Sequence, residues 1–273
     1  MELLERQNEM KSLEVQATAR LLYNRSQTID LVEWSCVLLL PILKIIFVHN
    51  IAVNYLFISW FFLSFIFDYY IDYYTEIASE LKKGFDYYVF AWNDNIPNRL
   101  LNVTKKYTAK KRKFYEEQTS QSGTDKPNGV KDWYTMVDKE VTQEEAIKAA
   151  MRENIYFDDK INNVANALLI SIVGITVYVL AFSGISFYEV LFGLFVTFAS
   201  VTKKWYSTFS NIKKVRNINR NIDKLLCDQN VDLYYLQSEI DKKRSISRTS
   251  NKLIYFFQRK GTHKEVSFLK TSK

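Results

Sequence analysis

Apolar residues are concentrated in two stretches of the chain, and each stretch is long enough for a pair of helices that cross a bilayer. A hydrocarbon core of about 30 Å requires roughly 17–25 mostly apolar helical residues. Residues 49–50 and 183–186 interrupt the two stretches and suit tight turns, so each stretch predicts a transmembrane hairpin. The four predicted spans are Trp34–Val48 (which residues 30–33 can extend), Ile51–Phe67, Val164–Phe182 and Phe187–Val201.

The polar intervals predict a helical layer outside the bilayer. Residues 75–113 have a helical pattern, whereas residues 118–131 are rich in turn-forming residues and predict a flexible loop. Charged helices at residues 139–163 and 203–226 are expected to continue into the third span and out of the fourth, and residues 231–260 to supply at least one more helix. The predicted regions are an N-terminal helix at 1–30, hairpins at 31–68 and 164–202, and polar helical regions at 69–163 and 203–273.

The distribution of basic residues predicts the orientation. Residues 1–30 contain four Lys and Arg, residues 68–163 fifteen and residues 203–273 seventeen, whereas the two turns contain none. Because basic residues favour the cytoplasmic side of a membrane, both termini and the polar regions are predicted to be cytoplasmic. The basic residues after the fourth span also suit contact with anionic lipid.

Composition predicts the fold class. Seven glycines and three prolines in 273 residues leave little material for a loop-rich β architecture. The predicted class is an all-α membrane protein with four transmembrane helices in two hairpins and a helical cytoplasmic domain. The alternative is a soluble protein with two buried hairpins, and two nearly uncharged hairpins in a chain of this size disfavour it.

Two charged residues fall inside the predicted spans, where contact with lipid is costly. Lys44 and Glu189 each lie a short distance below an outer turn. Such groups snorkel, pair or face water, and an ion pair between these two would link the hairpins. Glu189 also shares a helical face with Gly193, Thr197 and Ser200. That face predicts either a close helix contact or the water-facing wall of a pore in an oligomer.

No catalytic signature is present in the sequence. It has no Gly-rich phosphate loop, no paired histidines on a helix and no nucleophile elbow. His49 and His263 lie on different predicted elements, and Cys36 and Cys227 have no metal-ligand spacing. We therefore expect no enzyme activity, no metal and no cofactor.

Short motifs occur in the polar regions in a fixed order. They are Phe85-Asp86 with Tyr88-Val89-Phe90 and Trp92-Asn93, then Lys131-Asp132-Trp133-Tyr134, then Arg152-Glu153-Asn154 with Asp158, and finally Gln237 to Arg244. In order and spacing they resemble the SMODS-associated four-transmembrane effector family, the predicted pore-forming effectors of bacterial CBASS anti-phage systems. The chain departs from the family pattern at three places, namely Ala91 for Leu-Pro, Phe157 for Trp and Ala150-Met151 for Cys-Gln.

The resemblance implies a function that the residue patterns do not supply. In such systems a CD-NTase nucleotidyltransferase makes a cyclic oligonucleotide during infection, and the effector binds it on the cytoplasmic side. The membrane helices then rearrange or assemble into a homo-oligomer that permeabilises the inner membrane, which causes growth arrest or abortive infection. The expected partners are the cyclic oligonucleotide, the lipid bilayer and further copies of the chain, and no DNA or RNA polymer.

Candidate ligand residues follow from nucleotide chemistry, because basic side chains bind phosphate and aromatic faces stack on bases. The cytoplasmic segments offer Tyr88, Trp92, Trp133, Tyr134, Arg152 and Arg244. Arg152 and Arg244 suit phosphate, and Trp92 or Tyr134 suits a base. Aromatic residues of a helical layer also form cores, and Asp86 with Arg152 would make a structural ion pair. The alternative functions are a constitutive small ion channel or transporter subunit and a non-conducting membrane scaffold.

Overall fold

The computed structural model describes residues 2–47, 50–123, 125, 128–135, 137, 140–152, 171, 195–228 and 230–247. The predicted third span, apart from residue 171, and residues 187–194 of the fourth lie outside these residues. The side chains of Lys44, Thr197 and Ser200 are also outside the description, although their backbone lies in helices.

Helices account for nearly all of the described chain. They are α1 (Glu2–Arg6), α2 (Met10–Ile46), α3 (Ile51–Val89), α4 (Asn98–Lys110), α5 (Arg112–Ser120), α6 (described over 143–152), α7 (described as Phe195–Leu226) and α8 (Leu233–Arg244). The described residues contain no strand, only an isolated bridge between Ser122 and Lys131. The predicted helical class is therefore confirmed for this part of the chain.

The long hairpin of α2 and α3 organises the molecule. These helices contain 37 and 39 residues, so each is about 55–60 Å long at 1.5 Å per residue. The turn lies at the predicted position, where the Asn50 side chain accepts a hydrogen bond of 2.9 Å from the Ala52 N–H and caps α3. Because each helix is about twice as long as a bilayer core is thick, the hairpin has an apolar half near the turn and a polar half beyond it.

The apolar half exposes its hydrophobic side chains. Val37, Phe57 and Trp60 belong to a small buried seam between the two helices, while Leu39 is 58 % and Phe62 65 % exposed. α3 is the helix, among those in the described part of the chain, that is long and apolar enough to cross a membrane, and only 24 % of its apolar stretch is buried. A continuous exposed apolar surface of this kind indicates contact with a membrane or a partner.

The polar half contains the main hydrophobic core. Its buried residues come from separate segments of the chain, including Leu3 of α1, Leu22 of α2, Phe85 of α3, Met151 of α6, Ile222 of α7 and Ile240 of α8. α4 approaches α3 closely at Gly84, where an added Cβ would lie 2.5 Å from the Leu100 Cδ1 atom. One core is thus assembled from segments before, between and after the predicted hairpins.

The helical region predicted at residues 75–113 is divided between the end of α3, α4 and the start of α5. α3 ends at Val89, Ala91 has a left-handed φ of 60°, and α4 begins after Pro97. The Trp92 and Asn93 amides both donate to the Tyr87 carbonyl at 3.0 Å. The Asn-Asp-Asn-Ile-Pro run at 93–97 favours a turn, and it sends α4 back along α3.

The predicted flexible loop at 118–131 begins later than predicted, because residues 118–120 lie in α5, and its described part is anchored. The Arg20 guanidinium donates to the Gln118 side chain and to the carbonyls of Asn128 and Gly129, at 2.9–3.0 Å. Val130 is 1 % exposed, and it packs with Tyr115 in a small apolar cluster. The loop therefore packs onto α2 and α5, and its flexibility stays a prediction.

Candidate ligand site in the polar half and ion pairs at its boundary

Asp86 is the centre of a buried polar cluster. Its side chain is completely buried in α3. The Tyr134 hydroxyl donates to Oδ1 at 2.5 Å, the Gln237 amide donates to Oδ2 at 3.0 Å, and the Arg244 Nη1 atom forms an ion pair with Oδ2. Two of the predicted site residues, Tyr134 and Arg244, therefore meet at one carboxylate. The ion pair of Asp86 is with Arg244, not with Arg152.

Arg244 retains hydrogen-bonding capacity beyond this ion pair. It lies in the last turn of α8 with its side chain 8 % exposed. Its Nη2 atom has no hydrogen-bond partner among the described residues, and its Nη1 atom is 3.7 Å from the Asp241 carboxylate. Tyr134 is 3 % exposed and packs between Phe85 and Phe90. The ring is thus part of the core in this conformation.

Lys82 lies one helical turn before Asp86 and is a buried cation. Only 9 % of the residue is exposed, and its Nζ atom has no hydrogen-bond partner within the described residues. The ammonium is 3.7 Å from the centroid of the Trp133 ring. Burial, and secondly the positive charge of Arg244, hold the pKa of Lys82 well below its usual range, although Asp86 acts in the opposite direction.

Trp133 is held over Lys82 by a segment that is tied to the N-terminal helices. Asn8 and Asp132 exchange two hydrogen bonds of 2.7 and 2.9 Å, and the Tyr134 N–H donates to the Gln7 side chain at 3.0 Å. Asp132 has a left-handed φ of 49°, which a non-glycine residue rarely adopts. The predicted residue Trp133 is therefore a half-buried aromatic face next to a buried ammonium.

Tyr88 and Trp92 lie near the same end of α3 but have other partners. The Tyr88 hydroxyl donates to the Glu9 carboxylate at 2.8 Å, and the Lys11 ammonium is 4.1 Å from its ring centroid. The Trp92 ring stacks on Tyr234 of α8 at 4.2 Å. Tyr88 therefore connects the end of α3 to the start of α2, and Trp92 packs against α8 next to the same end.

The remaining predicted site residues lie apart or outside the description. Arg152 is exposed at the end of the described part of α6 and is not in the Asp86 cluster. Glu189 and Gly193, and the side chains of Lys44, Thr197 and Ser200, are outside the described residues. The ion pair of Lys44 with Glu189, and the role of the helical face of Glu189, therefore stay predictions.

Ion pairs connect three helices where the apolar half meets the polar half. Lys204 of α7 is 7 % exposed and pairs with Asp30 at 2.7 Å and with Glu33, both on α2. Lys203 pairs with Asp68 of α3 at 2.7 Å. A polar cleft of about 250 Å³ lies beside them, lined in part by Asp30, Asp68, Lys204 and Asn211. We call Lys203, Lys204 and their three carboxylate partners the boundary ion pairs.

Neither Lys82 nor the boundary ion pairs were predicted from the sequence. Lys82 follows Ala78 and precedes Phe85 and Val89 on the buried stripe of α3, so helical periodicity could have marked it. Asp30 and Glu33 lie one turn apart on one face of α2. No local pattern shows, however, that their partner is Lys204 rather than another of the basic residues after the fourth span.

An exposed apolar hairpin joined to a charged helical body is typical of a membrane protein. A family model described as the SMODS-associating 4TM effector domain matches residues 2–230 of the chain. The chain therefore belongs to this family of four-transmembrane effector domains, as the sequence motifs predicted. The match includes α1 to α7 and ends before α8. Comparisons with curated proteins and with solved structures find no match.

Proposed function

We propose that this protein is a membrane effector of a CBASS anti-phage system. It binds a cyclic oligonucleotide made by the associated nucleotidyltransferase, and binding rearranges or assembles its membrane helices so that the inner membrane becomes permeable. Growth arrest or abortive infection follows. Both ends of the chain and the polar half lie in the cytoplasm in this proposal, and the protein catalyses no reaction.

The observation that carries the proposal is the continuity of α2 and α3. Each helix runs without interruption from the exposed apolar half into the core of the polar half. Phe62 on the membrane-facing surface and Asp86 in the polar cluster belong to the same helix, about 36 Å apart at 1.5 Å per residue. A shift of α3 in the polar half is therefore transmitted directly to the bilayer.

The orientation is supported by the packing of α1 and α8. Leu3 of α1 and Ile240 of α8 lie in the same hydrophobic core. The first helix and residues 233–244 therefore lie on one side of the apolar half. Together with the excess of basic residues in these regions, this supports a cytoplasmic location.

The chemistry of the polar half suits an anionic aromatic ligand. Arg244 has a spare donor beside the Asp86 cluster, Trp92 and Trp133 are partly exposed aromatic rings, and Arg152 is an exposed cation near this core. A ligand shifts a conformational equilibrium only if it binds one state better than the other. Because these groups belong to different helices, a ligand that contacts several of them favours one helix arrangement.

The test is leakage of dye and ions from liposomes that contain the purified full-length protein, with and without a panel of cyclic di- and trinucleotides. We expect leakage only with one nucleotide or a closely related group, because the resting arrangement is held by the boundary ion pairs. Leakage without any nucleotide would favour a constitutive channel. If no leakage occurs under any condition, although the protein is shown to be folded and inserted, a non-conducting scaffold is favoured.

A further inference from the structure

Lysine side chains are usually exposed to solvent, whereas Lys82 is buried. Its neighbour Lys83 has a side chain 52 % exposed and reaches the Asp241 carboxylate at 4.0 Å. Lys82 instead lies on the buried stripe of α3, and its ammonium has no hydrogen-bond acceptor in the described part of the chain. Burying an ammonium without such partners is costly. Ionisable groups held in this way are concentrated at functional sites.

The surroundings of Lys82 lack a matching negative charge. Asp86, the carboxylate in the next turn, is already bonded to Arg244, Tyr134 and Gln237. The Nη2 atom of Arg244 is also without a hydrogen-bond partner among the described residues. Lys82 and the Nη2 atom of Arg244 therefore offer unused donors beside a carboxylate whose oxygens are engaged, so an added anion would gain donors from both, although the Asp241 carboxylate is 3.7 Å from the Arg244 Nη1 atom.

The contact that Lys82 does make is with a side chain that can move away from it, the Trp133 ring. The Trp133 ring lies 3.7 Å from the ammonium, and the ring is only half-buried. Trp133 follows Asp132, which has a left-handed φ, in a segment held to the turn after α1 by hydrogen bonds with Gln7 and Asn8. The ring covers the ammonium without a helix to fix it, so it can move away at smaller cost than a helical side chain.

We propose that Lys82 binds a phosphate group of the ligand, and that Trp133 covers this site in the resting protein and is displaced when the ligand enters. The inference rests on the proposed function for the identity of the ligand, a cyclic oligonucleotide. Lysine binds phosphate as a point charge with three donors, and the displaced indole ring can stack on a base. Movement of Trp133 also pulls on α1, because the same segment is bonded to Gln7 and Asn8.

The experiment compares Lys82→Met with the control Lys83→Met in the full-length protein. Binding of a panel of cyclic di- and trinucleotides is measured by calorimetry in detergent. We expect Lys82→Met to lose about 10–100-fold in affinity, the effect of one hydrogen bond to a charged group, and Lys83→Met to bind like the wild type. The melting temperature of ligand-free Lys82→Met should equal or exceed the wild-type value, because a buried amine without a hydrogen-bond partner is removed. If Lys82→Met loses binding but is at least as stable as the wild type, misfolding is not the cause of the loss.

The displacement of Trp133 has its own readout. Binding should change the tryptophan emission of the wild type as the indole ring leaves the ammonium, and Trp133→Phe should lose that change. An identical emission change in Trp133→Phe would overturn the covering role of Trp133.

The outcomes separate this inference from the proposed function. Equal affinity of wild type and Lys82→Met for a nucleotide overturns the Lys82 site and leaves the proposed function intact. Loss of binding in Lys83→Met alone would place the ligand in the groove between α3 and α8 and would also overturn it. If the wild type binds no nucleotide of the panel, the proposed function fails. The Lys82 site is then tested by the shift in melting temperature that inorganic pyrophosphate causes. A thermal shift that Lys82→Met abolishes supports an anion site, and no shift overturns it.

Discussion

At the scale of single residues, the polar half is distinguished by charges that are buried rather than solvated. Asp86 is completely buried, and Lys82, Lys204 and Arg244 are each less than 10 % exposed. Three of these four have a charged partner within the described residues, and Lys82 has none. Each paired charge makes the fold depend on its partner, and Lys82 is the basis of the proposed anion site.

Arg244→Met should destabilise the ligand-free protein by about 3–5 kcal/mol, because it leaves the carboxylate of Asp86 buried without its cation. The combination of Arg244→Met with Asp86→Asn should cost less than the sum of the two single changes. Chemical denaturation in detergent measures both effects. Lys214→Met, at an exposed position of α7, is the control and should stay within about 0.5 kcal/mol of the wild type. An Arg244→Met protein as stable as this control would show that the ion pair contributes nothing to the fold.

The titration of Asp241 predicts a dependence of stability on pH. Burial raises the pKa of Asp241 to about 6 from 3.8, against the opposing charge of Arg244. The folded protein therefore holds a proton that the unfolded chain releases between about pH 4 and 6. The stability that Asp241 contributes is present below this window and is lost as the pH rises through about 6.

Asp241→Asn should therefore be more stable than the wild type at neutral pH, by roughly 1–3 kcal/mol, and the difference should disappear towards pH 4. Melting temperatures of both proteins across this range test the prediction, since other titrating groups are common to both. A difference that stays constant with pH would mean that Asp241 titrates normally.

At the scale of helices, the boundary ion pairs hold α2, α3 and α7 together at the point where the apolar half begins. Lys204 connects α7 to α2, and Lys203 connects it to α3. Movement of α7 relative to α2 must separate the buried Lys204 from Asp30 and Glu33, which is costly in a low-dielectric environment. This arrangement favours two discrete states over gradual motion.

Lys204→Met should make liposomes leak without any nucleotide, because Asp30 and Glu33 lose their shared cation and about 3–5 kcal/mol of stabilisation at this point. Lys214→Met, at an exposed position of the same helix, should cause no leakage without nucleotide. The triple variant with Asp30→Asn and Glu33→Gln should leak less than Lys204→Met, because the two carboxylates that lost the Lys204 cation are gone. If liposomes with Lys204→Met leak no more than liposomes with Lys214→Met, the boundary ion pairs do not restrain opening.

At the scale of the whole molecule, the sequence predicts the elements better than their partners. Helical class, the α2–α3 hairpin and its turn at Asn50 follow from apolar runs and basic flanks, which are local. The break at Ala91 was missed because a left-handed alanine carries no signal of the kind that glycine gives. The pairing of Asp86 with Arg244 was missed because 158 residues separate the two, and a single sequence does not show which distant charges meet.

The same separation governs how the protein is made. Asp86 leaves the ribosome about 8–30 s before Arg244, at 5–20 residues per second, and the apolar half of the hairpin emerges earlier still. The hairpin must therefore enter the membrane while the core of the polar half lacks α8. A nascent chain cannot complete the Asp86 cluster before α8 is synthesised, so the proposed response to a ligand would arise only after that point. A cell that makes this protein is thus exposed, during each round of synthesis, to an inserted hairpin that its own C-terminal region has not yet secured.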